Sequence, residues 1–128
     1  MAVIGIGIDL VDNAEAARLL ERWGDRLLRR LLTDAEREYV IRAALPAQHL
    51  AVRLAAKEAV YKALQSLPGS RGLRWRQIEV LRQNSGRPTV LLHAEAAGVA
   101  SRGGVLRISL SLTHTPRTAG AVAIIEGG

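Results

Sequence analysis

Positions 3–8, Val-Ile-Gly-Ile-Gly-Ile, read as a buried β-strand. Alternation puts Ile4, Ile6 and Ile8 on one face and Val3, Gly5, Gly7 and Asp9 on the other. The two glycines leave room on the Asp9 face for another backbone or a ligand. Asp12 and Glu15 have the spacing of a capping box and open a helix over 13–22, which Gly24 ends. Asp25 to Leu32 is a second helical stretch. Thr33 and Glu36 form another capping box, opening a helix that reaches Ala43. Pro46 starts the longest helix, over 47–66. Val52, Ala56, Ala59, Val60, Ala63 and Leu67 recur along it at helical spacing as an apolar stripe. Pro68, Gly69, Ser70 and Gly72 close it in a loop. Residues 74–83 alternate as a strand, Asn84-Ser85-Gly86 is a turn, and 88–93 is the partner strand. A short helix follows over 94–102, then strands over 105–113 and 118–125 with Pro116 between them. Strand, helices, hairpin, helix and two strands predict an α+β fold with a mainly antiparallel sheet, one long helix and shorter ones.

Composition narrows the function more than the fold. The 128 residues suit one domain over 1–128. With 48% hydrophobic and 23% charged residues, extensive disorder is excluded. Cysteine is absent, which removes disulfides, thiolate metal sites and cysteine nucleophiles. No apolar run reaches the roughly 18 residues of a membrane span, and the N-terminus lacks the basic region of a signal peptide. Membrane insertion is therefore not expected, and a cytoplasmic location is the default. The net charge of +6 is uneven: residues 1–64 hold ten basic and nine acidic side chains, residues 65–128 eight and three. Such a balance attracts phosphorylated small molecules, nucleic acid or an acidic protein. Only four aromatic residues are available to interleave with the charges, so nucleic acid is the weakest of these partners. Sixteen of the 18 basic residues are arginine. The two lysines, Lys57 and Lys62, flank Glu58. A lysine is a compact, flexible point charge and an arginine is not, so these positions are either chosen for that difference or together by chance.

Four polar residues stand where chemistry could sit. Glu58 and Lys62, four apart on the long helix, share a face. By spacing alone they form a surface ion pair worth about 0.3–0.5 kcal/mol. The alternative is a carboxylate for a metal or a proton beside an ammonium for phosphate. Asp9 is either a polar strand terminus or a ligand to Mg²⁺, which takes one or two carboxylates together with water and substrate phosphate. His114 is either a hydrogen-bonded histidine at the core edge or an acid–base or phosphate-binding group. His49 and His93 have no zinc-site spacing with it. Neither a dinucleotide-binding glycine pattern, a Walker A loop nor a GxSxG elbow is present.

Three segments together resemble the holo-acyl-carrier-protein synthases, the short, trimeric type of 4′-phosphopantetheinyl transferase. They are GIGIDLVD at 5–12, RLAAKEAVYKAL at 53–64 and SLSLTHT at 109–115, supported by LLTDAE at 31–36, WRQIEV at 75–80 and the G-x-P turn at 86–88. The likeness covers about residues 3–125. It implies transfer of phosphopantetheine from coenzyme A to a serine of apo acyl carrier protein, in fatty acid synthesis or a similar pathway, with release of adenosine 3′,5′-bisphosphate. It implies Mg²⁺ on Asp9 and Glu58, coenzyme A phosphates near Lys62, a nucleotide site at His114 and Arg53, and a homotrimer with active sites between subunits. Glu58, Lys62 and His114 are then the catalytic set.

Phosphoryl transfer needs positioning and charge neutralisation more than covalent catalysis, and these residue types supply both. Arg18, Arg22 and Arg26, with Arg30, recur every four residues and could dock an acidic carrier, although Gly24 and Asp25 interrupt a single helix face. The chain departs from the family pattern at three places: Glu15 where a basic docking residue is usual, Leu54 for a common Phe, and Gln65 where Gly often begins a loop near coenzyme A. Two other readings compete. One is a non-catalytic basic binding module. The other is the same fold binding coenzyme A without turnover.

Overall fold

The computed structural model describes residues 1–128. Strand β1 (Ala2–Asp12) runs into helices α1 (Asn13–Trp23), α2 (Asp25–Leu31) and α3 (Asp34–Arg42), then the long helix α4 (Pro46–Leu64). A hairpin of β2 (Ile78–Arg82) and β3 (Pro88–Leu92) follows, then α5 (Ala94–Arg102), β4 (Val105–His114) and β5 (Thr118–Gly127). The sheet order is β1-β5-β4, antiparallel throughout, with the β2–β3 hairpin as a separate two-stranded sheet. The α+β expectation and the antiparallel pairing hold.

Helix α4 lies across one face of the three-stranded sheet, and small residues let it come close. Ala119, Ala121, Ala123 and Ile125 of β5 point toward it and are buried. A Cβ on Gly5 would overlap the carbonyl oxygen of Ala63, and one on Gly7 that of Ala59. The room that glycine leaves on this face is therefore filled by the α4 backbone. Twenty-two buried apolar residues form one contiguous cluster around this contact, so the elements share a single core.

The structure corrects the reading of β1. Its isoleucine face is not buried: Ile6, Ile8 and Leu10 are 65%, 62% and 70% exposed, and only Ile4 is partly covered. The cause is that α4 covers the opposite, glycine face; a slip in the pairing with β5 between Val3 and Gly5 sets Ile4 apart from the other three. The glycine face carries the packing instead.

Other boundaries moved for local reasons. Asp12 stands at the N-cap of α1 but its side chain makes no capping bond, so the Asp12–Glu15 box does not form. The Thr33–Glu36 box does, with both reciprocal bonds. The strand read over 74–83 begins only at Ile78, because Trp75–Gln77 turns as a 3₁₀ helix. The loop after α4 contains another such turn at Ser70–Gly72, and α4 stops at Leu64. No helix is long and apolar enough to cross a membrane.

Replacing Gly7 by alanine forces α4 off the sheet, because the colliding atom is backbone and cannot rotate away. Thermal or denaturant unfolding of Gly7→Ala is expected to show a loss of more than about 3 kcal/mol, or no folded protein. A wild-type midpoint would refute the close-contact account.

Candidate functional site

Eleven of the nineteen residues of α4 are buried. In its C-terminal half the stripe left open is Leu54, Glu58, Tyr61 and Lys62, spaced at three and four as one helix face must be. This stripe borders two cavities. One, of about 310 Å³, lies between Glu58, Tyr61, Leu73, Arg74, Trp75 and Ile78. The other is an open groove of about 450 Å³ that Asp9, Glu15, Leu54, Glu58 and Trp75 border, with leucines of α1 and α2. Asp9 reaches the groove from the glycine face of β1.

Lys62 does not pair with Glu58. Its ammonium donates to Asp9 Oδ1 at 3.1 Å and to the Ile8 carbonyl at 3.0 Å. The surface ion pair that the spacing suggested is thus replaced by a bond to the neighbouring strand. Glu58 makes no hydrogen bond or ion pair, and Asp9 uses only one oxygen. Both carboxylates therefore have free donor oxygens facing one groove. No group of three or more His, Asp or Glu residues could cage a metal unaided. Two carboxylates beside open positions instead fit a hard cation that brings water and phosphate with it.

Behind the open stripe lies a buried polar network that the sequence reading did not find. Lys57, wholly buried, donates to Glu36 Oε1 at 2.7 Å, to the Trp75 carbonyl at 2.9 Å and to the Ile78 carbonyl. Glu36 also accepts from the Thr33 and Val80 backbone amides at 2.9 and 3.0 Å. Burial pushes the Lys57 pKa down, and Glu36 opposes that shift. Burial pushes the Glu79 carboxyl up, but bonds from Thr33 and His93 outweigh it and leave its pKa lowered. The available signal was Lys57 lying between Ala56 and Val60 on the covered side of the helix.

The other expected site residues lie at the opposite end of α4. His114 is exposed, and its Nδ1 is 3.1 Å from Gln48 Nε2. Gln48 and Glu58 are ten positions apart, about 15 Å along a helix. Within one chain, His114 is thus not brought to Asp9, Glu58 and Lys62. Arg53 is 5% exposed, stacks 4.4 Å from the Tyr39 ring, and leaves its Nε without a partner. Burial lowers its pKa. His49 also has a lowered pKa, first from burial and then from Arg53, Arg82 and His114 nearby. This end of the helix gathers basic side chains; the other end presents carboxylates.

Arg18 and Arg22 end up on α1 and Arg26 on α2, with Gly24 at φ 55° between the helices. All three are exposed and form no salt bridge. Arg22 lies 5.0 Å from the Trp23 ring, and Arg26 lines a small cleft with Trp23, Leu27 and Arg30. The loop at the Gln65 departure is tied down, because Ser66 donates to the Ile4 carbonyl and Tyr61 to that of Arg71.

The model of the 4′-phosphopantetheinyl transferase superfamily matches residues 5–122. A holo-[acyl-carrier-protein] synthase of Serratia proteamaculans is 45% identical over 128 residues, covering 99% of this chain and 100% of the relative. One from Solibacter usitatus is 42% identical over 125 residues, 97% of this chain and 98% of that protein. Among solved structures, the Helicobacter pylori holo-[acyl-carrier-protein] synthase in complex with coenzyme A superposes with a TM-score of 0.80. It is 26% identical and covers 94% of this chain and 99% of its own.

The burial of His49 at this end of α4 has a measurable consequence. His49 is expected to titrate below the usual histidine value of about 6.5. Because the folded state favours the neutral ring, its contribution to stability is complete above that value. It declines as pH falls through the lower folded-state pKa. NMR titration of the His49 ring checks this, and a midpoint at or above 6.5 would contradict the burial account.

Proposed function

The chain belongs to the 4′-phosphopantetheinyl transferase superfamily, and on that footing we propose how its residues carry out the transfer. The enzyme moves the 4′-phosphopantetheine arm of coenzyme A to a serine of apo acyl carrier protein and releases adenosine 3′,5′-bisphosphate. The observation that carries the residue assignment is the meeting of Asp9, Glu58 and Lys62 at one groove. The whole chain, 1–128, acts as one transferase domain.

In the reaction a serine oxygen bonds to the phosphorus that carries pantetheine, and the pyrophosphate P–O–P bond breaks. The serine proton needs an acceptor. Glu58, unpaired and facing the groove, is that base. Lys62 has three N–H donors; Asp9 and the Ile8 carbonyl hold two. The third is left for a phosphate oxygen, where the ammonium offsets charge developing on the leaving group. Asp9 thus both orients Lys62 and offers its second oxygen to the groove. Asp9 and Glu58 would hold Mg²⁺, which supplies neutralisation of pyrophosphate charge when bound.

His114, Arg53 and the neighbouring Arg82 suit the nucleotide end of coenzyme A. Their separation from Glu58 within one chain supports a site shared between subunits. The uncovered sheet face supports the homotrimer: Ile6, Ile8 and Leu10 with Val122 and Ile124 of β5 form an apolar strip of the kind that marks an interaction surface. The unpaired Arg18, Arg22 and Arg26 suit docking of an acidic carrier in the cytoplasm.

Glu58→Gln is expected to cut transfer at least about a hundredfold while the fold is retained. Intact-mass spectrometry of an apo carrier incubated with coenzyme A reads this directly. The mass gain of one phosphopantetheine should vanish with EDTA and return with Mg²⁺; near-normal turnover by the variant would remove Glu58 from the chemistry. Light scattering should give three chains per particle, and Ile8→Asp should reduce that to one. A monomeric wild type at working concentration would overturn the shared site.

A further inference from the structure

Helix α4 points Glu58 outward and the residue before it inward. Lys57 is wholly buried, and two of its three bonds go to the carbonyls of Trp75 and Ile78. These residues stand in the wall of the 310 Å³ cavity beside Glu58, and Trp75 also borders the groove shared by Asp9 and Glu58. The segment Trp75–Gln77 is a single 3₁₀ turn, too short to hold its own position. From the far side, Glu36 grips Lys57, the start of α3 and, at Val80, the middle of β2. The three acceptors converge on one point, which suits a compact ammonium better than the planar fork of an arginine.

We propose that Lys57 is a positioning residue for coenzyme A: from inside the core it fixes the distance between the Trp75 wall and the Glu58 stripe, and so sets how tightly the cofactor-derived substrate is held. Lys57 touches neither substrate nor the reacting atoms. The proposal rests on the transferase reading given above, and it adds that binding depends on two buried backbone contacts rather than on the charge of the pair.

Stability and affinity should therefore separate across three full-length variants. Lys57→Met loses the carbonyl bonds and strands Glu36. Glu36→Gln removes the countercharge but leaves Lys57 two donors for the same carbonyls, even as a neutral amine. Lys57→Met/Glu36→Gln loses the carbonyl bonds but restores charge balance in the core, which is the condition that buried pairs tolerate best. Thermal unfolding should rank the double variant above Lys57→Met. Calorimetry with coenzyme A should instead rank Glu36→Gln first, within about threefold of wild type. Both variants that lack Lys57 should bind at least tenfold more weakly. Their KM for coenzyme A should rise by the same factor, with kcat within about threefold. If Lys57→Met does not fold, the double variant against Glu36→Gln decides. Affinity that follows thermal stability across the set, or wild-type affinity without Lys57, overturns the proposal. Failure of the unaltered protein to bind coenzyme A or modify a carrier would instead overturn the transferase reading itself.

Discussion

The backbone of α4 rests directly on β1, with no side chain between them at Gly5 and Gly7. Much else follows from that contact. It brings the carbonyl of Ile8 and the carboxylate of Asp9 within reach of Lys62, since strand and helix are as near as two backbones can come. It needs alanine rather than larger residues along β5 and α4, which explains how a chain without phenylalanine closes its core. It also commits one face of β1 to the helix, so the isoleucines fall on the opposite face and remain uncovered.

Along its length α4 is electrostatically divided. Arg53, His49 and the nearby Arg82 and His114 collect at its N-terminal end, where Pro46 occupies the first turn and no side chain caps the helix. The helix dipole adds to the positive potential there. Glu58 and Asp9 occupy the other half. Such a division favours anionic groups at the basic end, while at the other end Lys62 offsets part of the carboxylate charge.

Much of this was legible in the sequence. The helices announced themselves through period and caps, with Thr33–Glu36 the clearest. Spacing put Glu58 and Lys62 on one helix face and the family resemblance added Asp9, which lies inside β1 rather than at its end, within reach of Lys62. What was not legible depended on distance in space. Glu36 looks like an ordinary capping residue until Lys57 arrives from twenty-one positions away. Lys57 itself reads as a surface charge unless its neighbours Ala56 and Val60 are given more weight than its own polarity. β1 was read as a buried strand because alternation cannot show which of two faces a helix will cover, nor a slip at Ile4. Asp12 fits a capping box by type and spacing, yet its side chain does not make the bond.

The burial of α4 bears on how this chain can change over generations. A helix usually offers half its surface to neutral drift. Here most positions are covered, several of them alanines pressed against backbone and one a lysine held in buried bonds, and the open stripe in the C-terminal half borders the candidate site. Variation is pushed to the exposed hairpin turn at 83–87 and to the outward arginines of α1 and α2. Those surfaces can change without disturbing the packing of α4 or the groove that it borders.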